Sequence, residues 1–161
     1  MGTTATPFAA GYTASKAQSG LGSLLQVNGG GASPPTWTTI GEVIEGTMSP
    51  KNLFDDTTNL QSTAKEFLAV LPDPGKVTMT MNRVSNDPGQ VFMQGSFQNR
   101  TRLQYQLVLP VNVAAGQTTT GDVYGFLAYV EDLAPDIKTD KKLVSKFTLQ
   151  VTGGITLTVG T

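Results

Sequence analysis

The chain has 161 residues and a formal charge of −1 from eleven basic and twelve acidic side chains, and only 14% of its residues are charged, well under the usual quarter. Cysteine and histidine are both absent, which excludes disulfide staples, thiolate metal sites and cysteine nucleophiles and removes the usual general base and commonest transition-metal ligand. An enzyme is therefore not expected, and the length suits a single domain able to bury roughly 70% of the surface its unfolded form exposes.

Residues 1 to 20 are Gly, Ala, Thr and Ser with one charge, Lys16, and only Phe8 and Tyr12 as bulky groups. Such a segment cannot pack by itself. It is expected to be a flexible arm, either a free tail or a strap that orders against a neighbouring subunit with Phe8 and Tyr12 as anchors, ahead of one β-domain over residues 21 to 161. It lacks the charged start and apolar block of a signal peptide, and no apolar run in the chain reaches the length of a membrane span. Synthesis in a cytoplasm, with no membrane partner, is the expectation.

Ser23 to Asn28 and Thr36 to Glu45 are strand-like and flank NGGGASPP, a loop suited to a wide hairpin turn. Thr47 to Leu60 is a polar connection long enough that it is expected to bind or cover something; it carries Ser49, Pro50, Lys51, Phe54, Asp55 and Asp56. A short helix is predicted next. Thr63 and Glu66 have the spacing of a capping box, and Ala64, Phe67, Leu68 and Leu71 form one apolar stripe before Pro72, Asp73, Pro74 and Gly75 stop it.

From Lys76 to about residue 84 the period switches to two, with Val77, Met79 and Met81 on one face and Thr78, Thr80 and Asn82 on the other. Asp87 and Pro88 predict the start of a second short helix reaching about Phe97, with Gln90 closing its capping box. Thr101 to Leu109 alternates again, Leu103, Tyr105, Leu107 and Leu109 inward against Arg102, Gln104 and Gln106, and Pro110 ends it.

Asp122 to Glu131 is apolar on both faces, as in a central or interface-covered strand. Lys142 to Thr152 alternates cleanly, and Ile155, Leu157 and Val159 form a last short strand. Seven strands and two small helices give a mainly β fold, a β-sandwich or small barrel flanked by one or two short helices.

Candidate chemistry is thin. Asp132, Asp136 and Asp140 recur every four residues but lack the glycine and terminal Glu of a calcium loop, and a turn containing Pro135 accounts for them better. Asp55 and Asp56 are adjacent, so their carboxylates point apart, and no third group is on hand to shift either pKa. Gly20, Gly22 and Gly29 to Gly31 lack the spacing of a phosphate-cradling loop. Trp37 reads as a core or subunit-contact residue. The basic groups Arg100 with Arg102, and Lys138 with Lys141, Lys142 and Lys146, read as solvated faces, too sparse to grip a phosphate backbone. No cofactor or metal is expected.

Several blocks together resemble the major tail tube proteins of long, non-contractile-tailed bacteriophages of the siphovirus type. They are GSLLQV at 22 to 27, WTTIGEVIEG at 37 to 46, EFLAVLPDPGKVTM at 66 to 79, DPGQ at 87 to 90 and FTLQVTGGITLT at 147 to 158, and the resemblance covers nearly everything after residue 20. It implies a β-barrel or sandwich flanked by a helix, six copies per ring, and rings stacked into a tube through which DNA passes without specific binding. It further implies assembly in the bacterial host cytoplasm, residence in the virion tail, and a tape measure protein, a tail terminator and tail tip proteins as partners. On that resemblance Thr78, Thr80, Gln104 and Gln106 are candidates for the lumen. Ser49, Pro50, Lys51, Phe54, Asp55 and Asp56 are candidates for the contact between rings, with Phe8 and Tyr12 as arm anchors. A tail terminator, or another virion or surface β-module such as a fibre or adhesin, is the alternative; carboxylate-based glycoside hydrolysis, which needs no histidine, is a third reading with no pair of residues to favour it.

Overall fold

The computed structural model describes residues 15–31 and 33–161. Among these residues the chain forms strands β1 Leu24–Asn28, β2 Trp37–Thr39, β3 Val43–Met48, β4 Phe54–Asp56, β5 Phe67–Ala69 and β6 Lys76–Asn82. Helix α1 Pro88–Asn99, β7 Leu103–Val108, a 3₁₀ turn Val113–Ala115, β8 Val123–Asp136 and β9 Val144–Thr158 follow. Seven strands make one antiparallel sheet in the order β2-β1-β7-β8-β9-β6-β3, while β4 and β5 pair only with each other.

The two edge strands of the large sheet are consecutive in the chain. Only Ile40, Gly41 and Glu42 separate β2 from β3, and such a link spans at most about 14 Å, so the sheet must roll until its edges nearly meet. Bulges supply the bend. β8 and β9 are 14 and 15 residues long, and their register jumps between Gly125 and Leu127, where Gly153, Gly154 and Ile155 loop out of β9, and again between Val130 and Asp132. Bulges kink a strand and increase its twist. One part of β8 therefore pairs with β7 and another faces the segment of β9 that carries β6 and β3.

Period-two alternation then puts one face of every long strand inside the roll. Leu25 and Val27, Val77, Met79 and Met81, Tyr105, Phe126, Ala128 and Val130, and Phe147, Leu149 and Val151 form one buried cluster with Ile40 and Met93. The expected inward sets are found for Val77, Met79 and Met81 in β6, for Leu103, Tyr105 and Leu107 in β7, and for Ser145, Phe147, Leu149 and Val151 in β9. Leu109 lies past the end of β7, and Leu143, also expected inward, precedes β9 and is 44% exposed. Tyr105 stacks on Phe126 with ring centroids 5.9 Å apart.

Burial pushes the Tyr105 hydroxyl pKa up to about 12; it makes no hydrogen bond of good geometry, although Ser96 lies close enough to oppose the shift weakly. Its protonated state therefore stabilises the fold fully below the unfolded-state value of about 10, and that contribution is lost as pH rises through 12. Over this window stability should fall by up to about 2.7 kcal/mol, and Tyr105→Phe should remove that part of the slope in denaturant melts between pH 9 and 12. An unchanged slope would show that the phenol does not control alkaline unfolding.

Helix α1 begins as the sequence indicates. Asp87 caps it, its carboxylate accepting from Gln90 N at 2.8 Å, and Pro88 occupies the first helical position. The role expected for Gln90 is corrected. Instead of reaching back to the cap it is fully buried: its Oε1 accepts from Val84 N at 3.0 Å, and its Nε2 donates to the carbonyls of Asn82 (2.9 Å) and Gly41 (3.2 Å). That side chain ties α1 to the end of β6 and to the β2–β3 link. Gly89 is required there, since a Cβ would lie 2.6 Å from Thr39 O and from Ile40 Cα.

Other expectations are also corrected. Thr36 to Glu45 is not one strand: Ile40 N donates to Leu25 O, Glu42 adopts a φ of 62°, and the chain then crosses to the opposite edge. Residues 155 to 158 continue β9 beyond its bulge. Pro135 lies within β8 opposite Ser145, and the turn comes afterwards; β7 no longer pairs with β8 at that point, so the missing N–H breaks no ladder bond. The predicted helix over 63 to 71 is absent. Phe67–Ala69 is strand β5, paired antiparallel with β4, because a stripe of four apolar residues on so short a helix would find no core surface here, and short helices are marginal without packing.

Candidate assembly surfaces

Two surfaces stand out once the core is accounted for. The first is an arm between β3 and β6. Ser49 closes its base, its N–H and Oγ both donating to Lys76 O, and Lys51 and Asp73 exchange backbone bonds above Pro50. Phe54, Asp55 and Asp56 then pair with Ala69, Leu68 and Phe67, and Thr57 N donates to Glu66 O. The polar loop and the helix expected around it are thus two sides of one ribbon with a ladder about 20 Å long.

Nothing among the described residues covers this ribbon. Phe54 is 61% exposed, Phe67 and Leu68 59% each, and Leu71 85%. Asp55 and Asp56 point to opposite sides, as their adjacency implies. Hydrogen bonds from the Thr58 side chain and backbone hold the Asp56 carboxyl below its ordinary range.

The second surface is the face of the large sheet opposite the core. Gln104 and Gln106 on β7 lie there beside Gln26 of β1, Gln106 Nε2 donating to Gln26 Oε1 at 2.6 Å and Gln26 Nε2 to Thr39 Oγ1 at 3.1 Å. Thr78 and Thr80 occupy the same face on β6, in register with Thr148 and Lys146 of β9. β8 and β9 separate the two pairs, contributing Leu127, Tyr129, Thr152 and Gln150. The face is therefore an amide and hydroxyl surface on the β7 side and carries balanced charge on the β6 side. There Lys76 bonds Glu131 at 2.7 Å, and Glu45 accepts from Thr80 at 3.2 Å.

Gln26, Thr39, Thr148 and Gln150 were not singled out from the sequence. Their positions opposite buried residues in alternating strands were readable, but their juxtaposition with Gln104 and Thr78 depends on strand order. Trp37 sits on this face too, opposite Asn28, which is itself opposite Gln104. Phe8 and Tyr12 lie outside the described residues.

The larger clefts hold little that could perform chemistry. A groove of about 600 Å³ follows the open seam between β3 and β1–β7, lined by Leu21, Leu25, Val43, Met79 and Leu107, with Glu45 its one ionisable group. Another of about 490 Å³ lies at the base of the arm beside Gly153 and Gly154, with Lys51 and Asp73. No group of three or more potential metal ligands is found among the described residues.

No protein-family model matches the sequence, and no curated protein is found to be similar to it. Solved structures are. A chain from the tail of an empty gene transfer agent particle, determined with C6 symmetry, superposes with a TM-score of 0.72 at 14% identity, covering 89% of this chain and all of that one. The SPP1 tail tube gives a TM-score of 0.67 at 13% identity over 86% of this chain and 76% of that chain. The tube-terminating cap of the anti-feeding prophage gives 0.57 at 12% identity over 99% and 100%. At these identities the likeness is one of fold, and the chain has the mainly β tail tube fold.

Proposed function

We propose that the chain is a structural subunit of a phage-type tail tube, closing into six-membered rings that stack into a hollow conduit for DNA. The observation that carries this reading is the fold, a rolled seven-stranded sheet shared across most of its length with subunits of a gene transfer agent tail and of the SPP1 tail tube. The physics is consistent with it. Free edges such as those of β2 and β3 invite open-ended association, and joining sheets around a ring removes them. Lateral rotation closes, whereas head-to-tail stacking does not and so produces a filament.

In this reading the face bearing Thr78, Thr80, Gln104 and Gln106 lines the lumen. Amides and hydroxyls with balanced charges let DNA slide, where clustered Lys and Arg would hold it by counterion release. Ser49, Pro50, Lys51, Phe54, Asp55 and Asp56, as part of the arm, contact the next ring. A tape measure protein, a terminator and tip proteins are the partners such a tube requires, the virion tail is its location, and no catalytic role is assigned.

The absence of cysteine makes the lumen assignment easy to test. Thr78→Cys and Gln106→Cys would each carry the only thiol. In unassembled subunits each should react with both a small maleimide and one carried on a large polymer. In tubes the small reagent should still react while the polymer is blocked. Reaction with the polymer in intact tubes, or protection from both reagents, would contradict the assignment.

A further inference from the structure

We propose that the β4–β5 arm wedges between two other copies of this chain, one against each of its faces; this rests on the tube reading and specifies the contact on which stacking depends. The register places Phe54, Asp56, Phe67 and Ala69 on one side of the ribbon. Leu68 and Asp55 fall on the other, joined by Leu53 and Val70, whose backbones are linked through Val70 N to Leu53 O. Both sides are therefore apolar, and both are bare: Leu53 is 45% exposed and Val70 42%, beside 59% to 61% for Phe54, Phe67 and Leu68. A two-stranded ribbon is barely stable alone in water. A ribbon lying on one flat surface needs only one apolar side, and the other would be expected to carry polar residues.

Charge complementarity points to this same chain as the occupant. The arm from Lys51 to Asp73 holds two basic and four acidic residues, a net −2, so the remainder of the chain carries +1. Asp55, Asp56 and Glu66 make no ion pair among the described residues, and neither do the exposed Arg100, Arg102, Lys141 and Lys142 of the body. An acidic, doubly apolar ribbon and the unpaired cations on the body are complementary in a head-to-tail sense, the contact type that propagates a filament. Each apolar side also carries carboxylate, Asp56 on one and Asp55 with Glu66 on the other, able to meet a cation on its own partner.

The test places photoreactive residues at Phe67 and Leu68, adjacent in sequence and on opposite sides. A doubly modified chain, diluted into an excess of unmodified chain, is assembled and irradiated. Covalent trimers on a denaturing gel are expected; dimers alone, from tubes that contain the modified chain, would overturn the wedge while leaving the tube reading intact. Failure of the unmodified chain to form tubes would overturn the tube reading, and the wedge with it. If the doubly modified chain does not enter tubes, singly modified chains decide the matter. Their cross-linked peptides should map to two separate surfaces of the body, and the same surface from both would overturn the proposal.

Discussion

Replacing residues 50 to 74 with Asn-Gly should leave a folded subunit that does not build tubes. Ser49 faces Lys76 at the base of the arm, where β3 and β6 are already paired, Met48 opposite Val77, so Asn-Gly followed by Gly75 makes a three-residue connection of a length common in hairpins. None of the buried core residues comes from the arm. Shortening the connection also lowers the closure cost by about 0.6 kcal/mol per halving, so denaturant melts should give stability equal to or above that of the parent. Assembly should be lost, because the apolar surface of Phe54, Phe67 and Leu68 goes with the arm. Tubes of normal length from this variant would remove the arm from any account of stacking.

Gly75→Ala should cost the fold roughly 3 kcal/mol. Gly75 has a φ of +73°, a conformation unfavourable for any residue with a Cβ, and an added Cβ would overlap the carbonyl oxygen of Ser49 and lie 2.6 Å from its carbonyl carbon. The obstacle is backbone, which cannot rotate away as a side chain can. The same glycine accepts through its carbonyl from Val151 N and Gln150 Nε2 and donates to Asp73 Oδ1. Displacing it therefore disturbs β3, β6 and β9 where the arm leaves the sheet. Gly154→Ala is the control: nothing lies within 4 Å of its added Cβ, and the change should stay within about 0.5 kcal/mol. Equal melts for the two variants would show that Gly75 is not the fixed hinge described.

What could be read in the sequence and what could not divide along a physical line. Alternation in β6, β7 and β9 and the Asp87–Pro88 start of α1 are local signals, and each fixed its element and its buried face. The arm was misread because its decisive contact, Phe54 with Ala69, joins segments that are each ambiguous alone. The series Ala64, Phe67, Leu68 and Leu71 fits one side of a helix as well as it fits a ribbon with two apolar sides. Which form wins depends on a covering surface outside the single chain. Likewise Thr78 and Gln104 were legible as residues turned away from the core, but their sharing of one continuous face follows from the order β7-β8-β9-β6, which no local pattern encodes. The rolling of the sheet was hidden for a different reason. Thr36 to Glu45 resembles an unbroken strand, and only the pairing of its two halves with opposite edges reveals the crossing at Ile40 to Glu42.

Electron microscopy of the purified chain in negative stain, over a series of rising concentrations, tests the central claim most directly. The account predicts rings with sixfold symmetry and, above a threshold concentration, hollow stacked tubes. A chain that remains a dispersed monomer at every concentration would contradict it.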